Sequence, residues 1–223
     1  VGYNCLTQET TATNNTAVGS HALYACTTGA SNVAMGLNAL NSVVTGGSNV
    51  AIGQGALQVT LGGTNTAIGF NCSNALTTGT NNSSIGYDAE PSAVDATNEI
   101  TFGNSSISAI RCQVQSISSL SDARDKQNIE ELPLGIEFIN TLRPVKFDWA
   151  MRDGANEGVQ EIGFLAQELD KAQQDAKAEE YMRLVLKNNP DRLESTYGKL
   201  VPILTKAVQE LSAEVEELKS KLE

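Results

Sequence analysis

Asn15-Thr-Ala-Val-Gly19, Asn32-Val-Ala-Met-Gly36, Asn49-Val-Ala-Ile-Gly53, Asn65-Thr-Ala-Ile-Gly69 and Asn82-Ser-Ser-Ile-Gly86 start 17, 17, 16 and 17 residues apart. The register extends beyond the pentad. With each Asn as position 0, position 7 is small in Ala22, Ala39, Ala56, Cys72 and Ala89, and leucine follows it in Leu23, Leu40 and Leu57. Glycine falls at position 14 in Gly29, Gly46, Gly63 and Gly79. A unit this short cannot bury a core of its own, so it must stack on its neighbours. The small residue at position 2 and the apolar residue at position 3 sit on a short strand. Glycine at positions 4 and 14 permits corners with positive φ, and small residues at position 7 let backbones approach. Aromatics, 5% of the chain, are too few to fill a wide interior. Residues 1–96 therefore read as an all-β repeat solenoid, a narrow β-roll or β-helix, with burial in a trimer expected to cover one face.

Working outward, Val1-Gly2 falls at positions 3 and 4 of a preceding repeat, and Cys5-Leu6 at positions 7 and 8. The register thus starts in mid-repeat, and we expect a piece of a longer repetitive protein. On the other side, residues 97–120 form a closing β segment. Thr97-Asn-Glu-Ile-Thr-Phe-Gly103 and Ile107-Ser-Ala-Ile-Arg-Cys-Gln-Val-Gln-Ser-Ile117 alternate apolar and polar residues, as short strands do. Cys5, Cys26 and Cys72 occupy slots that other repeats fill with small apolar residues, and they read as buried hydrophobes. With no Cys-x-x-Cys spacing, no zinc site is expected, and no cofactor or metal of any kind. Reduced thiols suit assembly in a cytoplasm. His21, the only histidine, reads as a surface residue.

Composition divides the chain near residue 120. Residues 1–120 hold 14 of the 19 glycines, all four cysteines and six charged groups: Glu9, Asp88, Glu90, Asp95, Glu99 and Arg111. Residues 121–223 hold the remaining charges, four of the five prolines and the only tryptophan, Trp149. A net charge of −11 argues against duplex nucleic acid or an anionic membrane as partners. No apolar run approaches the ~20 residues of a membrane span, so no membrane insertion is expected. Glycan hydrolysis has little support, because glycosidases need a facing pair of carboxylates and the repeats have almost none.

The Asn-x-Ala-x-Gly…Ala-Leu pattern resembles the head repeats of trimeric autotransporter adhesins and of related viral fibres. Residues 121–223 carry a second resemblance. Ser121-Asp-Ala-Arg-Asp-Lys-Gln-Asn-Ile129 is followed by Leu142-Arg-Pro-Val-Lys-Phe-Asp-Trp149, then Gly163-Phe-Leu-Ala-Gln-Glu-Leu169, then Tyr197-Gly-Lys-Leu-Val-Pro-Ile-Leu204…Ala207-Val-Gln-Glu-Leu211. In that order these segments resemble the intramolecular chaperone autoprocessing domain, peptidase family S74, found at the ends of phage tail spikes and fibres. The resemblance implies a homotrimer in which the domain folds the upstream fibre and then cuts itself off once.

A serine hydroxyl needs a base at neutral pH, and no histidine follows residue 120. Lysine, aspartate or glutamate must then serve. By resemblance, Ser121 and Lys126 form a Ser-Lys dyad, and the scissile bond is Leu120–Ser121. A lysine acts as a base only when its proton affinity falls, which burial in an assembled trimer could achieve. Asp122, Arg124 and Asn128 match motif positions and stand as supporting residues. They could orient the loop, stabilise the oxyanion, or simply cap a turn and pair at the surface. Gln167 and Glu168 match an Ala-Gln-Glu element whose role we expect to be structural.

Tyr197, Val201, Leu204, Val208, Leu211, Val215, Leu218 and Leu222 alternate spacings of four and three, a heptad seam. A coiled-coil helix is expected over about 198–222, closing an α+β domain. Val and Leu alternating along such a seam favour two parallel strands. The resemblance implies three, and three is the expectation. The competing reading is one amphipathic helix packed on its own domain. Residues 170–192 are polar and helix-prone, with Asn188-Asn-Pro-Asp191 as a stop, and read as a helix and strand particular to this chain.

The expected function is therefore the distal part of a phage-type tail fibre or spike in the virion, assembled in the host cytoplasm. Its C-terminal domain would be a trimerisation chaperone that acts as a single-turnover serine endopeptidase on itself. The fibre part would meet a host surface receptor, with glycans one candidate class. The alternative is a non-cleaving trimeric adhesin or fibre tip whose C-terminal domain stays attached as a clamp.

Overall fold

A computed structural model describes residues 1–113, 117–152, 154 and 156–222. The chain divides into two compact units, Val1–Ser108 and Ala109–Glu223.

The first unit is a parallel β-solenoid. Its strands β1 (Thr16–Val18), β2 (Val33–Met35), β3 (Val50–Ile52), β4 (Thr66–Ile68), β5 (Ser83–Ile85) and β6 (Ile100–Phe102) pair in sequence order, each in parallel with the next. Each strand sits on the equivalent residues of its neighbour: Ala17 opposite Ala34, Ala34 opposite Ala51, Ala51 opposite Ala67. The sixth rung comes from the closing segment. Glu99 stands 17 residues after Asn82, in the asparagine slot, and Gly103 takes the glycine slot. Beyond it, residues 104–113 and 117–120 form no strand, so the alternation at Ile107 does not add a rung. Residues 114–116 of that expected strand lie outside the described residues.

Within each strand the chain alternates faces. Position 2 points inward, where Ala17, Ala34, Ala51, Ala67 and Ser84 are buried. The rest of the core is Ala22, Ala39, Ala56, Cys72 and Ala89 with Leu23, Leu40, Leu57, Leu76, Cys26 and Val43. The leucines after the alanines adopt the left-handed region, with φ near 50° in Leu23, Leu40 and Leu57. That conformation costs roughly 1–2 kcal/mol for a residue with a side chain. Burying a leucine gives about 1.5–3 kcal/mol, so burial wins.

A ladder of asparagines closes each rung. The Oδ1 of Asn32 accepts the Asn49 backbone N–H at 2.9 Å, and the Asn49 Oδ1 accepts that of Asn65 at 2.9 Å. Each Nδ2 donates across the turn to a carbonyl: Asn32 to Gly46 at 3.0 Å, Asn49 to Gly62 at 3.0 Å, Asn65 to Gly79 at 2.9 Å. These side chains are buried, and an unsatisfied amide there would cost about 1–3 kcal/mol, which explains why the residue recurs. Glycine recurs at position 4 for a different reason. Gly19 has φ +129°, and a Cβ on it would lie 2.5 Å from the Gly36 carbonyl oxygen.

The cysteines behave as small apolar side chains where the sequence placed them in repeats. Cys26 and Cys72 are buried, and burial pushes both thiols up from their ordinary value. Cys112 is exposed. His21 is half-buried rather than at the open surface, flanked by Tyr3 and Tyr24 with ring centroids 5.5 Å away on each side.

The second unit is α+β. Helix α1 (Ile136–Thr141) leads into an antiparallel hairpin of β7 (Val145–Asp148) and β8 (Gln160–Gly163). Helix α2 (Ala166–Asp175) and the short α3 (Glu179–Met182) follow, then β9 (Val185–Leu186), paired antiparallel with β10 (Glu194–Ser195). Helix α4 (Leu200–Ser220) closes the unit, with Pro202 harmless in its first turn. The core is Leu134, Phe138, Leu169, Ala178, Met182, Leu184, Val185, Leu200 and Ile203. Residues 170–192 therefore supply much of this unit's own interior. Gln173, buried in α2, accepts the Leu184 N–H at 2.9 Å and ties that segment to the helix.

Candidate functional site

The composition boundary carries a tight turn. Residues 117–131 are exposed among those described, and Leu120 is 98% exposed. Directly after it, Ala123–Asp125 form one turn of 3-10 helix with Asp122 as its N-cap. The Asp122 Oδ1 accepts the Arg124 N–H at 2.9 Å, the Asp125 N–H bonds the Asp122 carbonyl at 3.1 Å, and the Lys126 N–H bonds the Ala123 carbonyl at 3.2 Å. This single turn folds residue 126 back over residue 121. The Lys126 Nζ donates to the Ser121 Oγ at 2.7 Å.

Of the supporting residues, Asp122 and Arg124 are paired. The Arg124 Nη2 reaches the Asp122 Oδ2 at 2.6 Å and Nε reaches Oδ1 at 3.0 Å. The Arg124 side chain and its own N–H hold the Asp122 carboxyl below the usual carboxylate range. Asn128 is exposed and sits in the left-handed region at φ 51°, a conformation asparagine tolerates, just past the turn. Gln167 and Glu168 lie away from the turn in sequence, on α2, where Glu168 forms an ion pair with Arg143. That pair fixes the start of α2 to the segment before β7.

Chemically, a hydroxyl and an amine at hydrogen-bond distance are a nucleophile with a base in reach, since a neutral amine would accept the proton along the line it now donates. Both groups are exposed in the single chain.

Two apolar surfaces accompany the turn. On the solenoid, position 3 faces outward from every strand: Val18, Met35, Ile52, Ile68, Ile85 and Phe102 are 37–60% exposed in one column. On α4 the heptad residues Val201, Leu204, Val208, Leu211, Val215 and Leu218 are exposed, while Leu200, Ile203 and Ala207 are buried in the unit. The helix has two apolar seams, and packing on its own domain uses only the second. Sequence reading missed that second seam, whose residues interleave with the first. It also missed Glu210, which accepts the Ile136 N–H at 2.7 Å and so joins α4 to the start of α1.

Among the described residues there is no cluster of three or more His, Cys, Asp or Glu side chains fit for a metal, and no helix long and apolar enough to cross a membrane.

Residues 121–177 match the family model described as peptidase S74, chaperone of endosialidase. The match begins at Ser121, contains the 3-10 turn, both strands of the hairpin and α2, and ends before α3. It supports a chaperone domain, and with it an assembly role, in the C-terminal unit. Searches of curated proteins and of solved structures found no match to the chain.

Proposed function

We propose that the chain is the distal part of a phage-type tail fibre or spike, borne on the virion, whose C-terminal unit templates trimer assembly and then releases itself by autoproteolysis at Leu120–Ser121. The observation that carries this reading is the 2.7 Å contact between Lys126 Nζ and Ser121 Oγ at the first residue of the matched segment. The two outward apolar faces support assembly with further copies, because exposed columns of Val, Ile, Met and Leu want cover.

The reaction runs on these two residues. Neutral Lys126 takes the Ser121 hydroxyl proton as Oγ attacks the Leu120 carbonyl carbon. The Leu120 C–N bond breaks, the Ser121 nitrogen leaves as an amine carrying that proton, and the Leu120 acyl group rests on Oγ as an ester. Water then hydrolyses the ester, leaving a carboxylate on residue 120 and a free hydroxyl on Ser121. Assembly would supply the desolvation that a lysine needs to be neutral, so an unassembled chain keeps its lysine wet and idle. Cleavage would then report correct folding.

A denaturing gel tests the proposal. The chain should yield two pieces, residues 1–120 and 121–223, while Ser121→Ala and Lys126→Met should each leave one band. The exposure of Ser121 and Lys126 in the single chain also fits a second reading, a permanent trimeric clamp that never cuts. An intact wild-type band from a trimeric sample would establish the clamp and remove the peptidase. The fibre part would bind a receptor on the host surface.

A further inference from the structure

A lysine base with two aspartates close by in sequence faces an electrostatic problem. Asp122 adjoins the nucleophile and Asp125 adjoins the base. A free carboxylate within ~4–6 Å of an ammonium holds the proton on it and defeats the base. We propose that Asp122 and Arg124 form a positioning pair for the Ser121–Lys126 dyad: Asp122 folds the turn that brings the two together, and Arg124 occupies the carboxylate that would otherwise claim the Lys126 amine.

The geometry separates the two jobs. As N-cap, Asp122 accepts the Arg124 N–H at 2.9 Å, and the turn that follows sets the spacing at which Lys126 meets Ser121. Both oxygens of that carboxylate are engaged by the Arg124 guanidinium, Oδ2 at 2.6 Å through Nη2 and Oδ1 at 3.0 Å through Nε. The guanidinium carries its donors in a planar fork and stays charged, so it can neutralise Asp122 throughout the range in which a lysine titrates. Lys126 is left with the hydroxyl. Asp125 forms no ion pair among the described residues, and there no other titratable group is joined to this turn by an ion pair or a hydrogen bond to a side chain. Among the described residues, the charged groups that adjoin the dyad on this turn are Asp122, Arg124 and Asp125. Sequestering the capping carboxylate also explains why an arginine sits two residues after it in an exposed turn.

This inference rests on the autoproteolytic reading and is tested in the full chain by following self-cleavage against pH. Arg124→Gln frees the Asp122 carboxylate, so the rising limb of the rate–pH profile should move up by roughly one unit. Cleavage on that limb should fall about tenfold, with the loss shrinking as pH rises. Arg124→Lys should restore part of the position. Asp122→Asn keeps a capping oxygen without the charge, and should not move the limb upward. Asp122→Ala removes the cap and should slow cleavage at every pH. The double variant Asp122→Asn/Arg124→Gln has no carboxylate to sequester and should return the limb to the wild-type position or below it, which a merely structural role for Arg124 would not produce. A profile for Arg124→Gln that superimposes on wild type, or a shift that persists in the double variant, overturns the pairing role and leaves the dyad standing. A wild-type chain that does not cut, or a Ser121→Ala chain that does, overturns both.

Discussion

Glu90 stands where earlier rungs place Leu23, Leu40 and Leu57, and the change of residue type changes what holds the rung. Its carboxylate accepts the backbone N–H of Asn74 at 2.7 Å and of Ala75 at 3.2 Å, replacing apolar packing with hydrogen bonds. Burial pushes its carboxyl above the ordinary value; the two amides pull it down, and the Asp88 charge adds a smaller upward push. Because the native value is raised, Glu90's contribution is fully present below the unfolded carboxylate range and is lost as pH rises through the native value. At neutral pH the charged form therefore weakens the fold. We predict that Glu90→Gln, which keeps an oxygen for both amides, raises neutral-pH stability by roughly 0.5–1 kcal/mol. Thermal melts of wild type and variant should converge as pH falls below 4.3, the usual glutamate value. A variant less stable than wild type at pH 7 would show that the charged hydrogen bonds outweigh the burial.

At the scale of elements, the solenoid trades volume inside a rung. Three rungs pair a leucine at position 8 with a smaller partner at position 11: Leu23 with Cys26, Leu40 with Val43, Leu57 with Thr60. The next rung reverses the order, with Ser73 at position 8 and Leu76 at position 11, and both are buried. In these four rungs the interior holds one leucine each and is indifferent to which corner provides it. We predict that Ser73→Leu alone overpacks the rung and costs about 1–3 kcal/mol. Leu76→Thr alone should cost about 2–5 kcal/mol through the cavity it leaves. The double variant, which rebuilds the pattern of the rung before it, should recover most of both losses in denaturant melts, and additive losses would refute the exchange. The exchange shows what was and was not legible in the sequence. Asn15, Asn32, Asn49, Asn65 and Asn82 announce the solenoid by repetition, because each performs the same two hydrogen bonds. Leu76 breaks the pattern, and only the packed rung shows that it restores the volume Ser73 gives up. Glu99 likewise hides the sixth rung, since its Asn slot is recognisable by spacing but not by residue type. For the candidate site, Ser121 and Lys126 were readable only from the surrounding family motifs. The capping work of Asp122 stood there as one reading among several, because an aspartate two residues before an arginine fits a turn cap, a surface pair or an oxyanion role equally well.

For the whole molecule, α4 carries the surface through which the proposed trimer would form. Leu200, Ile203 and Ala207 anchor the helix in its own unit, and the heptad seam from Val201 to Leu218 runs beside that anchor and stays exposed. Beyond Ala207 no described residue of α4 is buried in the unit, so this distal half is the part that further copies would cover in the proposed trimer. Leu211→Lys should therefore leave the unit's core intact and abolish the oligomer. Light scattering should change from the wild-type assembly to a single copy, and self-cleavage should fall with it. Retention of the wild-type mass by Leu211→Lys would show that the seam is not an interface.

The stacking of like on like along the solenoid makes its length a digital quantity. Each rung presents the same Asn, Ala and Gly columns to the next, so adding or removing a whole 17-residue unit exchanges one set of contacts for an identical one. Such a change moves everything beyond it by one strand spacing, ~4.8 Å, and leaves the outward column unbroken. The 16-residue interval between Asn49 and Asn65 shows that a corner absorbs a missing residue without disturbing that column. Growth or shrinkage by duplication and deletion is thus open to this rod at little structural penalty, which makes reach far easier to alter than cross-section.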